Sequence, residues 1–237
     1  ATFSIDNVSV KEVGQDWTLE TGWSIGEDKV VSDGSGSIPN TDLIQGNVFT
    51  SGNVYKVTLE IKDYVSGNLQ LQNNTTNFPQ SNGVHTIYSS TGGTSLILRS
   101  LSFIGSITNI SVKEVGQDWT LNDWSVGDSL VSSGNTSSLL EQPTIYTNAT
   151  SIYKTTFKAK SVNGTSVTLR VYDGGGNNYE TFTITSSDFE DFELIRQRGG
   201  VNATLYFYNN SNAEIEITNI SVIEITDDTN LPRINYE

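Results

Sequence analysis

The sequence predicts an all-β chain of tandem β-sandwich, jelly-roll-like modules. Three observations carry this. A long block of sequence recurs at module-sized spacing. Apolar residues alternate over short runs. Glycine-rich turn signals separate those runs, and no window keeps a 3.6-residue period with helix caps.

The block comes first. Ser4 to Leu19 reads SIDNVSVKEVGQDWTL and Ser106 to Leu121 reads SITNISVKEVGQDWTL, differing only at Asp6/Thr108 and Val8/Ile110. A partial third copy, ITNISVIEI, spans Ile217 to Ile225. Ser4 and Ser106 stand 102 residues apart, a domain-sized and not a solenoid-sized interval. The likeness continues beyond the block: Gly22-Trp23-Ser24-Ile25-Gly26 is echoed by Asp123-Trp124-Ser125-Val126-Gly127, and Tyr55-Lys56-Val57-Thr58-Leu59 by Tyr153-Lys154-Thr155-Thr156-Phe157. The phase of the repeat sets the organisation. Residues 1–13 read as the closing strand of a truncated preceding module, 14–115 as module one, 116–226 as module two, and 227–237 as a linker to a downstream region.

The strands follow from alternation. They are expected at Val54–Ile61, Ser66–Gln72, Ser95–Ile104, Ser151–Ala159, Ser166–Tyr172, Tyr179–Ile184 and Ala203–Tyr208. Turns are expected at Ser66-Gly67-Asn68, Asn163-Gly164, Asp173-Gly174-Gly175-Gly176 and Arg198-Gly199-Gly200. Trp17, Trp23, Trp119 and Trp124 recur at fixed places, which fits core packing better than ligand contact.

Composition narrows the function classes. The 237 residues hold 13 Lys and Arg against 27 Asp and Glu, a formal net charge of −14. Such a surface repels nucleic acid, whose binding needs cations to replace phosphate counterions. No run is apolar enough to span a bilayer as a helix, so no membrane insertion is expected. Cysteine is absent, which excludes disulfides and thiolate metal sites. Methionine is absent too, so the chain reads as a processed product or an internal segment.

The opening W-x4-GWS-x-G of Trp17 to Gly26, the VVSDGSG stretch, the YKVTLEI strand and the closing IDNVSVKEV or ITNISVKEV resemble carbohydrate-binding-module-like (galactose-binding-like) jelly rolls. These sandwiches recur in secreted polysaccharide-degrading enzymes, cell-surface adhesins and tailed-phage tail fibres. Asp228 to Tyr236, DTNLPRINY, resembles the junction that precedes a further domain in phage structural proteins. In this family the closing strand often carries an aspartate that holds a structural calcium against the opening segment. The resemblance puts Asp6 at that place; the complete modules depart from it with Thr108-Asn109 and Thr218-Asn219. Calcium at Asp6 is thus the one cofactor implied, and the two asparagines are expected to bond neighbouring backbone instead.

Sugar binding would use aromatic rings stacked on pyranose faces, with amides and carboxylates on the hydroxyls. The glycan-binding candidates are Phe78, Tyr88, Tyr172, Tyr179 and Asn177, with Tyr208, Gln70, Gln72 and Asn73 beside them. Catalysis finds little support. Asp188 to Glu193, DFEDFE, packs four carboxylates together, but reads as a charged strand edge anchored by Phe189 and Phe192. His85 is the lone histidine and has no nucleophile signature near it.

The expectation is a non-enzymatic structural or adhesion segment of a phage virion surface protein (tail fibre, appendage or decoration) with glycan binding. The alternatives are accessory carbohydrate-binding modules of a secreted carbohydrate-active enzyme, or repeats of a bacterial surface adhesin. Expected partners are cell-surface or extracellular polysaccharide and other virion or array subunits. The expected location is a virion surface or the extracellular space. Repeated modules would add avidity through two weak sites on one chain.

Overall fold

Alternation sets the strands. Tyr55, Val57, Leu59 and Ile61 are buried while the residues between them are not, a period of two that only an extended backbone gives. The computed structural model describes residues 16–26, 28–35, 40–173, 179–198 and 202–226. Residues 1–13, the linker 227–237, Asp6 and Asn177 lie outside them. The chain divides into two units, the first ending at Val115 and the second beginning at Gly116.

The first unit contains β1 (Trp17–Leu19), β2 (Trp23–Ile25), β3 (Val30–Asp33), β4 (Asn40–Gln45), β5 (Val54–Leu71), β6 (Thr76–Asn77), β7 (Gly83–Ser90) and β8 (Leu96–Val115). A single 3-10 turn, Gln72–Asn74, is the only helical element among the described residues, so no helix there is long and apolar enough to cross a membrane. All eight strands form one hydrogen-bonded sheet, and its two longest strands, β5 and β8, run through both halves of it. The early part of β5 and the late part of β8 pair with each other, with β7 and β3 outside them and β2 at the edge. The late part of β5 and the early part of β8 pair again, now with β6, β4 and β1.

This corrects two expectations. Val54–Ile61 and Ser66–Gln72 are one strand, and Ser95–Ile104 runs on into the repeated block. Ser66-Gly67-Asn68 does not end a strand; it bends one from one half of the sheet to the other through register shifts. Gly67 has φ of 78°, and a Cβ there would overlap the Ser102 carbonyl oxygen of the neighbouring strand. Only glycine lets the two backbones cross so closely.

The second unit separates the same strands. It contains β9 (Thr120–Asn122), β10 (Trp124–Val126), β11 (Leu130–Ser132), β12 (Ser138–Gln142), β13 (Ile152–Ser161), β14 (Val167–Asp173), β15 (Tyr179–Ile184), β16 (Glu190–Gln197), β17 (Leu205–Asn209) and β18 (Ile215–Ile225). One sheet has the order β10-β11-β18-β13-β16, the other β15-β14-β17-β12-β9. Their facing sides make one core. Phe157 of the first sheet meets Phe207 of the second edge-on at 5.1 Å between centroids and stacks on Phe192 at 5.3 Å. Burial of such aromatic and aliphatic side chains is the main stabilising term of a sandwich.

The repeated block has a structural reason. Asn109 and Asn219 both have φ of 52°. Each occupies a bulge, because Thr58/Glu60 oppose Ser111/Thr108 and Thr156/Lys158 oppose Ser221/Thr218 with one extra residue on the closing strand. Asparagine tolerates this left-handed geometry better than most residues. Asn109 does not bond neighbouring backbone, as the sequence suggested; its amide donates to Glu60 at 2.8 Å. A second shared device is the phenol of Tyr55, which accepts the Thr50 N–H, and that of Tyr153, which accepts the Asn148 N–H, both at 2.8 Å.

Trp23 and Trp124 are core residues, and Trp17 and Trp119 pack half-buried against the same cores. Of the DFEDFE phenylalanines only Phe192 is an anchor. Phe189 is exposed and carries the Lys160 ammonium 4.8 Å from its ring centroid. Three of the four carboxylates there belong to edge strand β16, where Glu193 and Asp191 pair with Lys154 and Lys158 of β13.

Candidate functional site

Three adjacent strands of the second unit, β15, β14 and β17, bring four tyrosines onto one surface. On β14, Leu169, Val171 and Asp173 point inward, which turns Arg170 and Tyr172 outward. On β17, Leu205, Phe207 and Asn209 point inward, which turns Tyr206 and Tyr208 outward. Register then aligns them. Tyr172 stands opposite Tyr206 and Arg170 opposite Tyr208, while Tyr179 of the edge strand β15 stands opposite Tyr172. One row across the outer face reads Tyr179, Tyr172, Tyr206, Glu141, Thr120; the next reads Thr181, Arg170, Tyr208, Leu139, Asn122.

The rings form one cluster around Tyr172. Its centroid lies 4.9 Å from that of Tyr179, 6.3 Å from Tyr206 and 6.5 Å from Tyr208. The last two contacts are edge-on, a geometry that ring quadrupoles favour. The Arg170 guanidinium carbon sits 4.8 Å from the Tyr179 centroid. Neighbouring strands lie about 4.8 Å apart, so five strands give a strip of roughly 19 Å across the sheet. The strip is open, with flat apolar rings, phenolic hydroxyls and threonines along it. Such a surface can take an extended chain of rings lying across the strands.

Of the residues singled out from the sequence, the structure brings Tyr172, Tyr179 and Tyr208 together. It leaves Tyr88 and Phe78 elsewhere. Phe78 is 2 % exposed and belongs to the core of the first unit, so it presents no ring to a ligand. Its polar surroundings, NNTTNFPQSNG, conceal that the backbone N–H of Phe78 bonds Leu69 and folds the ring inward. Tyr88 is on β7 of the first unit, half-buried, with the Lys56 ammonium 5.4 Å from its ring centroid. Asn73 holds backbone, donating to Ser95 and accepting from Ile97, and Gln70 binds Thr75 and Asn77. Tyr206 and Arg170 were not foreseen. The alternation Leu205, Tyr206, Phe207, Tyr208 does signal both tyrosines, since the period of two puts them on one face.

The aromatic face is not repeated. By register, Gln70, Ile97 and Arg99 of the first unit occupy the places of Arg170, Tyr206 and Tyr208. Arg99 is clamped there by two bonds of 2.8 Å to Asp42. The expected pair of equivalent sites is therefore corrected to one aromatic face, on the second unit.

What is repeated is a groove between the opening hairpin and the bulged closing strand. It is lined in part by Trp17, Asp28, Lys29, Thr108 and Asn109, and in the second unit by Trp119, Asp128, Ser129, Thr218 and Asn219. This is where the resemblance would place calcium. Calcium takes six to eight oxygens, usually with several carboxylates. Here Thr108 spends its hydroxyl proton on the Asp28 carbonyl at 2.7 Å, Asn109 binds Glu60, and Lys29 pairs with Asp63. No cluster of three metal-ligating side chains occurs among the described residues. The donor set of these grooves does not fit calcium.

His85 braces a loop, its Nε2 lying 2.8 Å from the Ser81 carbonyl oxygen.

No family model and no curated protein matches the chain. Solved structures do overlap with it. The tandem CBM22-1–CBM22-2 domain of Xyn10C from Paenibacillus barcinonensis is 11 % identical, with 90 % of this chain and 94 % of that chain covered at a TM-score of 0.36. The tandem CBM51 modules of Sp3GH98, a family 98 glycoside hydrolase from Streptococcus pneumoniae, are 6 % identical, with 86 % and 87 % covered at a TM-score of 0.27. A cycloalternan-forming enzyme from Listeria monocytogenes, in complex with a pentasaccharide, is 9 % identical over 82 % of this chain and 20 % of that one, at a TM-score of 0.37.

Proposed function

We propose that this chain is a non-catalytic, glycan-binding segment of a surface-display or adhesion protein. The observation that carries this is the tyrosine face of the second unit. Four half-exposed rings on one sheet, edged by threonines and an arginine, supply flat apolar contact and hydroxyl chemistry together. Rigid aromatic side chains lose little entropy on binding, which suits them to shallow recognition. The motif resemblance and the DTNLPRINY segment favour a virion surface as the setting, over a secreted enzyme or a bacterial adhesin. The test is a glycan array probed with the full chain, with and without calcium, beside Tyr172→Ala and Tyr179→Ala. Specific binding that both variants lose is the expected result. Binding unchanged in both would place the contact elsewhere.

A second reading, assembly with other subunits, has its own observation. Ile152, Ile195 and Ile223 are exposed on the outer face of the other sheet of the second unit, flanking Lys154. Light scattering across a concentration series reads self-association directly. Substituting Ile195 and Ile223 by serine should abolish any that is found.

A further inference from the structure

We infer that the tyrosine face is selective for acidic glycans, those built of uronic-acid units, and that Arg170 reads their carboxylates. The inference rests on the tyrosine face being a glycan site and adds the ligand's charge.

It starts from how the arginines are used. Arg99 is held by Asp42 through two bonds of 2.8 Å, and Arg196 by Asp173 through two of 2.6 Å. Arg198 donates to the Tyr146 carbonyl at 2.8 Å. Arg170 alone among the described arginines lies against a ring with no described carboxylate in ion-pair reach, and its buried Nε has no hydrogen-bond partner among the described residues. This happens in a chain with 27 acidic residues against 13 basic ones, where an unpaired guanidinium is the exception.

The position matters as much as the charge. Arg170 stands between Thr181 and Tyr208 in its row, next to Tyr172 along β14 and diagonal to Tyr179. The nearest carboxylate of the same face, Glu141, is opposite Tyr206 on β12, two strands away from β14. That is roughly 10 Å at the usual strand spacing. A sugar ring lying on Tyr172 would therefore bring a substituent over Arg170 without meeting Glu141. Its place over the Tyr179 ring restrains the guanidinium in advance, so less side-chain freedom remains to be lost. A planar fork of N–H donors matches a carboxylate in shape as well as charge. In the first unit the same place holds Gln70, and the arginine on that face is already neutralised by Asp42.

Polygalacturonate and its fully methyl-esterified form test this, because they share one backbone and differ in charge. Titration calorimetry uses the full chain in calcium-free buffer. The expected result is at least tenfold tighter binding to the acid form, a preference that shrinks with added salt. Arg170→Gln should bring the two affinities within about twofold of each other, at the esterified level. Arg170→Lys should keep part of the preference, since it retains charge but not the fork. Tyr172→Ala should weaken both forms alike. Equal affinities in the wild type, a preference that survives Arg170→Gln, or binding of neutral glycans only would overturn the inference. In each case loss of binding in Tyr172→Ala would still uphold the tyrosine face. If Tyr172→Ala leaves all binding intact, the site itself has been misplaced. Circular dichroism of each variant separates lost binding from lost fold.

Discussion

Arg196 of β16 reaches across the core of the second unit to hold Asp173 of β14, bonding both carboxylate oxygens at 2.6 Å. The pair ties one sheet to the other. Asp173 is 2 % exposed, and the guanidinium is its ion-pair partner. Breaking one side of such a pair costs about 3–5 kcal/mol, because an uncompensated buried charge remains. Arg196 is itself about one-quarter exposed, which favours the lower end. Urea denaturation of Arg196→Met should show a loss near 3 kcal/mol. The double variant Asp173→Leu with Arg196→Met should recover most of it, since replacing both charges leaves none unpaired.

Tyr146 lies near this pair, fully buried, with its hydroxyl 3.0 Å from that of Thr155. Burial pushes its phenol up to about 12, and the nearby Asp173 carboxylate adds to the rise. The folded state therefore keeps a proton that the unfolded chain releases near pH 10. Stability from this group is intact below pH 10 and is lost as pH rises from 10 to about 12. Two pH units correspond to roughly 2–3 kcal/mol. Tyr146→Phe should flatten the alkaline fall, at a cost of about 1 kcal/mol at neutral pH for the lost hydrogen bond. Denaturant melts at a series of alkaline pH values read both effects.

Gly67→Ala should destabilise the first unit by roughly 2–4 kcal/mol, through left-handed strain and overlap with Ser102. Gly92→Ala is the control. Nothing lies within 4 Å of its added Cβ, so its change should stay within about 0.5 kcal/mol. A thermal melt of each variant makes the comparison.

The bulges predict an ordering. Asn109→Gly and Asn219→Gly should be near neutral, while the alanine versions should each lose about 1 kcal/mol to the left-handed backbone. Equal losses for glycine and alanine would show that the Asn109 amide bond to Glu60, and not backbone geometry, is what matters there.

Tyr206→Ala and Phe78→Ala should part company. Tyr206 is on the tyrosine face, so its loss should weaken glycan binding about tenfold with little effect on folding. Phe78 is core, so its loss should cost about 3–5 kcal/mol of stability and spare binding in the protein that remains folded.

These two residues also mark what could be read in the sequence. Strands with clean alternation were legible: β15 spans Tyr179–Ile184 as expected, and β13, β14 and β17 begin and end within two residues of expectation. Alternation reports which face a residue is on, so Tyr172 and Tyr208 were found, and Tyr206 carries the same signal. It does not report where a strand passes from one half of a sheet to the other. Gly67 resembles any turn glycine in sequence, yet it bends one long strand, because the bend depends on the Ser102 backbone far along the chain. Phe78 failed for a related reason. Its burial comes from the tertiary path of a polar loop. Arg170 needed the structure most, since an arginine without a carboxylate partner is visible only when every neighbour is placed.

One feature of the folds bears on force. The closing strand of the first unit, late β8, is hydrogen-bonded to β5 along its length and to β3 near its start; β18 sits likewise between β13 and β11. Tension applied at Val115 acts along the axis of a strand whose last residues, 108–115, are laddered to β5 alone. A pull along that axis loads the β5 ladder lengthwise, so its bonds share the load. The same ladder that closes each fold, β8 on β5 and β18 on β13, is thus the one that meets a pull at the closing strand's end.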